Sequence, residues 1–124
     1  MVNVKGVSWV GVKTSSPGEM ARFFAEVMRL PVVLEQPDFV VFQLPDGDKL
    51  EVFGVAGPQT PQQFSENEVV AGFLVDDIEE ASAELMAAGT ELLGGREHAS
   101  NGYAWQHFRG PDGKVFELTY DPDR

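Results

Sequence analysis

Cysteine is absent from the chain, which excludes disulfides, thiolate metal sites and cysteine nucleophiles. No apolar run is long enough to span a bilayer, and the opening Met-Val-Asn-Val-Lys-Gly-Val lacks the basic-then-apolar build of a signal peptide. The expected location is therefore cytoplasmic, with no membrane partner. Basic side chains are scarce, 9 against 20 acidic ones, for a formal net charge of -11. Such a field repels nucleic acid and anionic lipid, so no nucleic-acid partner is expected, and it attracts cationic ligands or metal ions as well as serving solubility. No Ser-His-Asp order, phosphate loop or Gly-x-Gly-x-x-Gly occurs, which leaves hydrolase and nucleotide-binding readings without support.

What the chain does have is a repeated phrase. Pro45-Asp46-Gly47-Asp48-Lys49-Leu50-Glu51 returns as Pro111-Asp112-Gly113-Lys114-Val115-Phe116-Glu117. Each copy sets a tight Asp-Gly turn before a strand that carries a glutamate at the same point. A repeat about half a chain apart implies a duplicated structural unit. It also implies two acids, Glu51 and Glu117, facing one site. At 124 residues the chain is expected to be a single domain with a real core.

The hydrophobic pattern extends the duplication. Val7 to Thr14 alternates as a strand; Ser15-Ser16-Pro17 reads as a helix start, with a hydroxyl at the cap, and Met20, Phe23, Phe24 and Val27 follow at helical spacing until Pro31. Short strands are expected at Val32–Leu34, Phe39–Leu44 and Lys49–Val55. After a polar linker the same order returns: a strand over Val69–Val75, a helix capped by Asp76 or Asp77 and stopped by Gly89, a short strand over Thr90–Leu93, a loop from Gly94 to Gly102, and a hairpin of Tyr103–Arg109 with Lys114–Tyr120. The predicted fold is α+β: one domain over 1–124, with module one over about 1–56, a linker over about 57–67 and module two over about 68–124.

Period two assigns the faces. Leu50, Val52, Phe116, Leu118 and Tyr120 are expected under the helices. Trp9, Glu51, Phe53, Trp105, His107, Arg109 and Glu117 then share the opposite face, a polar and aromatic lining. Aromatic pairs at a concave acidic site suit planar or cationic ligands. His98 falls in the Gly94–Gly102 loop and is expected to be exposed.

The opening strand Val7-Ser8-Trp9-Val10-Gly11-Val12, the second opening strand Phe73-Leu74-Val75-Asp76-Asp77-Ile78, the helix end Ala87-Ala88-Gly89 and Gly110-Pro111-Asp112-Gly113 before Phe116-Glu117-Leu118 resemble the vicinal oxygen chelate superfamily: glyoxalase I, bleomycin-resistance proteins and extradiol-type dioxygenases. The resemblance covers almost the whole chain and implies two βαβββ modules whose sheet curls into a cup around a ligand. It also implies pairing into a homodimer, as in many members of this size. Metal-using members place histidines on the opening strands and glutamates on the closing ones. Here the closing positions hold Glu51 and Glu117, but the opening ones hold Trp9 and Val70, and neither indole nor isopropyl offers a lone pair to a cation. No resident metal is therefore expected. Were a divalent metal to bind, Glu51, Glu117 and His107 would be its ligands.

Without a metal, two carboxylates in a partly apolar cup need compensation from Arg109, Lys13, a protonated His107, a shared proton or a cationic ligand. The expected function is small-molecule binding of an aromatic or cationic compound, with Trp9, Phe53, Trp105 and Arg109 as ligand-binding residues. The alternative is an enzyme, either a metal-dependent lyase, isomerase or dioxygenase or a metal-free acid–base catalyst, with Glu51, Glu117 and His107 as its catalytic residues.

Overall fold

The structure is a computed structural model and describes residues 2–124. Module one runs β1 (Val4–Lys13), α1 (Pro17–Arg22, continuing as a π-helical segment over Phe23–Val27), β2 (Val32–Gln36), β3 (Phe39–Gln43) and β4 (Lys49–Phe53). Module two repeats it as β5 (Val69–Val75), α2 (Ile78–Ala87), β6 (Glu91–His98), β7 (Ala104–Arg109) and β8 (Val115–Tyr120). All eight strands form one mixed sheet in the order β2-β3-β4-β1-β5-β8-β7-β6. β1 pairs parallel with β4, β5 parallel with β8, and the two modules join through the antiparallel pair β1–β5. The order reads as a palindrome about that seam, as a duplicated unit requires. The expected α+β fold with two βαβββ modules is the one observed.

The helices cover one face. Met20 and Phe24 pack on Phe42, Leu50 and Val52, while Ile78, Ala81 and Leu85 pack on Leu118, Phe108 and Tyr120. Strand parity then turns Glu51, Phe53, Trp105 and Glu117 to the other face, where the cup forms. Asp77 caps α2 by accepting from the Glu80 N–H at 2.9 Å, and Gly89, with φ of +87°, ends it. Ser16 stands at the cap position of α1, but its hydroxyl makes no cap hydrogen bond; its N–H instead donates to Thr14 Oγ1 at 3.0 Å.

Module two departs from expectation in one place. The strand expected over Thr90–Leu93 continues to His98, through residues read as loop. Pairing with β7 is interrupted between Leu93 and Glu97, where Gly94 adopts φ of +67°. The Gly94-Gly95 pair thus makes a bulge rather than an end, and the ladder resumes at Glu97 opposite Trp105. The connecting segment 57–67 contains neither helix nor strand, yet it is tied into the cup. Gln63 is buried, and the Phe64 ring lies 5.2 Å from that of Phe53. Asn67 fastens the far end, accepting from the Val115 N–H at 2.8 Å and donating to the Val69 carbonyl at 2.6 Å. Among the described residues no helix is long and apolar enough to cross a membrane.

Candidate functional site

The parallel pairs place the two glutamates symmetrically. Glu51 lies in register with Gly11 and Glu117 with Gly72, while across the seam Trp9 faces Gly72 and Val70 faces Gly11. Both glycines clear space for a neighbour. A Cβ on Gly11 would meet Trp9 Cη2 at 2.2 Å, so the indole lies directly over that backbone; a Cβ on Gly72 would meet Glu117 Cγ at 3.0 Å. Around this centre opens a cavity of about 650 Å³, a volume in the usual range for a small organic ligand. Trp9, Phe39 and Phe53 supply its wall from module one, and Tyr103 and Trp105 its wall from module two; Glu51, Glu97, Glu117 and Lys49 are its charged members. Pro58, Gln59, Thr60 and Gln63 of the connecting segment close one side.

The two glutamates differ in what stands behind them. Glu117 is 2 % exposed, and the Nε2 of the equally buried His107 lies 3.0 Å from its Oε2. That contact is close but poorly aligned, for both atoms lack a hydrogen bond of good geometry. His107 Nδ1 is 4.0 Å from Glu97 Oε2 on the other side. Burial raises the Glu117 pKa, the His107 contact opposes that, and the Glu97 charge adds to it. Behind Glu51 the same place in the neighbouring strand holds Val41. Burial pushes Glu51 up to about 7; the polar Trp9 indole opposes the rise, the Glu117 charge adds to it, and Lys49 lowers it.

A buried hydroxyl pair lies close to the wall residue Tyr103. Ser8 Oγ and Thr119 Oγ1 are 2.6 Å apart and buried, near the Tyr103 phenol. Burial, then the nearby Glu117 charge, raises the Tyr103 pKa and keeps the phenol neutral. Ser8 reaches this side because the β1–β5 register shifts between Val7 and Trp9, a bulge that re-aims one side chain.

Of the residues expected to line the cup, Trp9, Glu51, Phe53, Trp105 and Glu117 do so. His107 stands one layer behind, covered by Glu117. Arg109 is elsewhere: its Nη1 is 3.2 Å from Glu66 and its Nε 3.4 Å from Glu91, and Nη1 donates to the Gly113 carbonyl at 3.0 Å. The cation at the wall is Lys49, neither Arg109 nor Lys13, and its Nζ donates to the Gly47 carbonyl at 3.0 Å. His98 is exposed. Sequence reasoning passed over Glu97, Ser8, Gln63 and Tyr103. Only Tyr103 carried a usable signal, since it stands two residues before Trp105 and so shares its face.

Two four-stranded modules joined edge to edge, with paired acids at the seam and a ligand-sized cup, define the class of duplicated βαβββ cup proteins. The sequence matches the Glyoxalase/Bleomycin resistance protein/Dioxygenase superfamily over residues 6–118, and the chain belongs to that family. Among solved structures it is similar to a superfamily member from Vibrio splendidus 12B01 (22% identity, TM-score 0.68, covering 96% of this chain and 100% of that one). It is also similar to the Mn(II)-bound glyoxalase from Novosphingobium aromaticivorans (20% identity, TM-score 0.78, 98% and 40% covered). A third is the methylmalonyl-CoA epimerase from Mycobacterium tuberculosis (12% identity, TM-score 0.74, 97% and 91% covered). At these identities the likeness shows the fold alone. No curated protein matches the sequence.

Proposed function

We propose that this chain is a small-molecule-binding member of the superfamily that holds an aromatic or cationic ligand in its cup without a resident metal. The observation that carries the reading is the lining: five aromatic side chains around three carboxylates, with a single lysine already engaged by a backbone carbonyl. Aromatic faces attract cations, and a desolvated carboxylate strengthens that attraction. A family metal fits this donor set poorly. Trp9 and Val70 contribute no lone pair, and among the described residues no group of three or more His, Asp or Glu side chains is placed to hold a metal ion.

Calorimetric titration with N-methylacridinium, a planar cation, and with its neutral counterpart acridine at pH 7.5 tests the reading. The cation is expected to bind more tightly, unchanged and in one-to-one ratio, with affinity falling about 3- to 30-fold in Trp105→Ala. Binding of neither compound, or indifference to Trp105→Ala, would reject it, and equal binding of both would reject the preference for a cation.

A second reading, metal-free acid–base catalysis, draws on one specific contrast. The duplicated glutamates sit in unlike surroundings, Val41 behind Glu51 and His107 behind Glu117, and unlike carboxyls are what an acid and a base require. Turnover of a bound compound, lost in both Glu51→Gln and Glu117→Gln, would favour it over sequestration. The homodimer belongs to the proposal as well. It is supported by the edge strand β2, whose Val32, Val33 and Leu34 are 45%, 48% and 43% exposed, and light scattering on the eluted protein tests it.

A further inference from the structure

Resting on the metal-free reading above, we infer that Trp9 and His107 have taken over the part that a metal plays in this fold, each acting as the nitrogen partner of one glutamate within its own module. The place of the cation is thereby filled from inside the chain, and the change is reversible by substitution at Trp9 and Val70.

Three observations carry this. First, the indole of Trp9 occupies the space over Gly11, the residue in register with Glu51, so the ring lies beside the strand position that carries that carboxyl. An indole N–H is a donor only, so it can satisfy a carboxylate but cannot share it with a cation as a second ligand would. Second, Glu117 has its imidazole on β7, the strand beyond it, whereas the neighbour on the seam side is Gly72. The His107 Nε2 contact at 3.0 Å therefore approaches from behind, away from the seam where Trp9, Val70 and both glutamates meet. Third, His107 is 1 % exposed and stands between Glu117 and Glu97, so it cannot swing into the cup without abandoning both. Each carboxyl thus has a nitrogen-bearing ring beside it that presents no lone pair at the seam.

The backbone frame has kept its shape around this exchange. Trp9 faces Gly72 and Val70 faces Gly11 across the seam, so histidines at 9 and 70 would stand at equivalent positions of the two modules. Removing the indole would reopen the space above Gly11. Two imidazoles with two carboxylates make a donor set suited to a borderline divalent ion.

The experiment uses chelator-treated full-length protein, titrated calorimetrically with Mn²⁺, Zn²⁺ and Ni²⁺. Wild type is expected to bind none of them stoichiometrically. The double variant Trp9→His/Val70→His is expected to bind one equivalent with micromolar or tighter affinity and to lose that binding when Glu117→Gln is added. Independently of whether that variant folds, the indole N–H resonance of Trp9 in the wild-type ¹H–¹⁵N spectrum is expected to move in Glu51→Gln by much more than in Glu117→Gln. Stoichiometric metal binding by wild type, lost in Glu51→Gln, would overturn both this inference and the metal-free reading. A folded double variant that binds no metal, or a Trp9 resonance indifferent to Glu51→Gln, would overturn this inference alone and leave the ligand-binding cup standing.

Discussion

His107 Nε2 lies 3.0 Å from Glu117 Oε2 with both groups buried, and the matching position of the other module, in register with Glu51, is Val41. One pair of equivalent positions in a duplicated frame is therefore apolar in one module and basic in the other. Glu117 is given a fixed neighbour that favours its charge, while Glu51 is left among aromatic and aliphatic groups with the Trp9 indole. The cup inherits a polarity that the symmetric backbone does not impose.

Removing one member of the buried pair should cost more than removing both. His107→Leu leaves Glu117 desolvated without its neighbour, and a loss of about 2–4 kcal/mol is expected in urea unfolding at pH 7. Adding Glu117→Leu should recover a substantial part of that loss, because the uncompensated carboxyl is then gone. Strictly additive losses would show that the two side chains do not interact.

Glu51 ties stability to pH in the sense opposite to a salt-bridged acid. Its folded pKa of about 7 exceeds the ordinary 4.5, so between those values the folded chain binds more protons than the unfolded one. The stabilisation is full below the unfolded value and is lost as pH rises through about 7. Its size is on the order of 3 kcal/mol. The measurement is unfolding free energy of wild type and Glu51→Gln across pH 5 to 9, the difference cancelling the other carboxylates. Glu51→Gln should gain on wild type as pH rises, and a flat difference would refute the assignment.

The fold was legible because its determinants are local and repeated. The Asp-Gly turns at Gly47 and Gly113 fix both hairpins, and period-two alternation sends Glu51, Phe53, Trp105 and Glu117 to the cup. The site was less legible because alternation alone does not place three side chains. Ser8 is turned by a bulge in β1. Glu97 follows a Gly-Gly pair whose composition reads as a loop but whose backbone rejoins the ladder. Arg109 shares strand parity with Trp105, yet it stands at the end of β7, where its long side chain meets Glu66 and Glu91 at the sheet edge. Parity fixes a direction, whereas the reach of a flexible side chain depends on which charges lie nearby.

Gly11 is held to glycine by the indole stacked over it. A Cβ there would come within 2.2 Å of Trp9 Cη2 and 2.5 Å of Cζ2, so the ring must move. Gly11→Ala is expected to cost about 1–3 kcal/mol, as overpacking does, and to shift the fluorescence of Trp9, which in wild type is buried and packed edge-on to Phe53 at 6.4 Å. Gly18→Ala, in helix α1 where nothing lies within 4 Å of the added carbon, is the control: it should not lower stability and should leave the Trp9 emission unchanged. An unaltered Trp9 emission in Gly11→Ala would mean that the ring does not rest on that backbone.

A cation entering the cup should expel a proton. Near neutral pH Glu51 is partly protonated, since its pKa is about 7, and a positive charge beside it favours the carboxylate and lowers that pKa. Binding of N-methylacridinium at pH 7 should therefore release up to about half a proton from Glu51. The number is read from calorimetric titrations in phosphate and in Tris, whose ionisation enthalpies differ widely: the slope of observed enthalpy against buffer enthalpy gives the protons exchanged. The slope should vanish at pH 9, where Glu51 is already ionised, and should fall in Glu51→Gln at pH 7. A slope of zero at pH 7 in wild type, with the cation bound, would mean that it lies away from Glu51 and that the seam of the cup is not its seat.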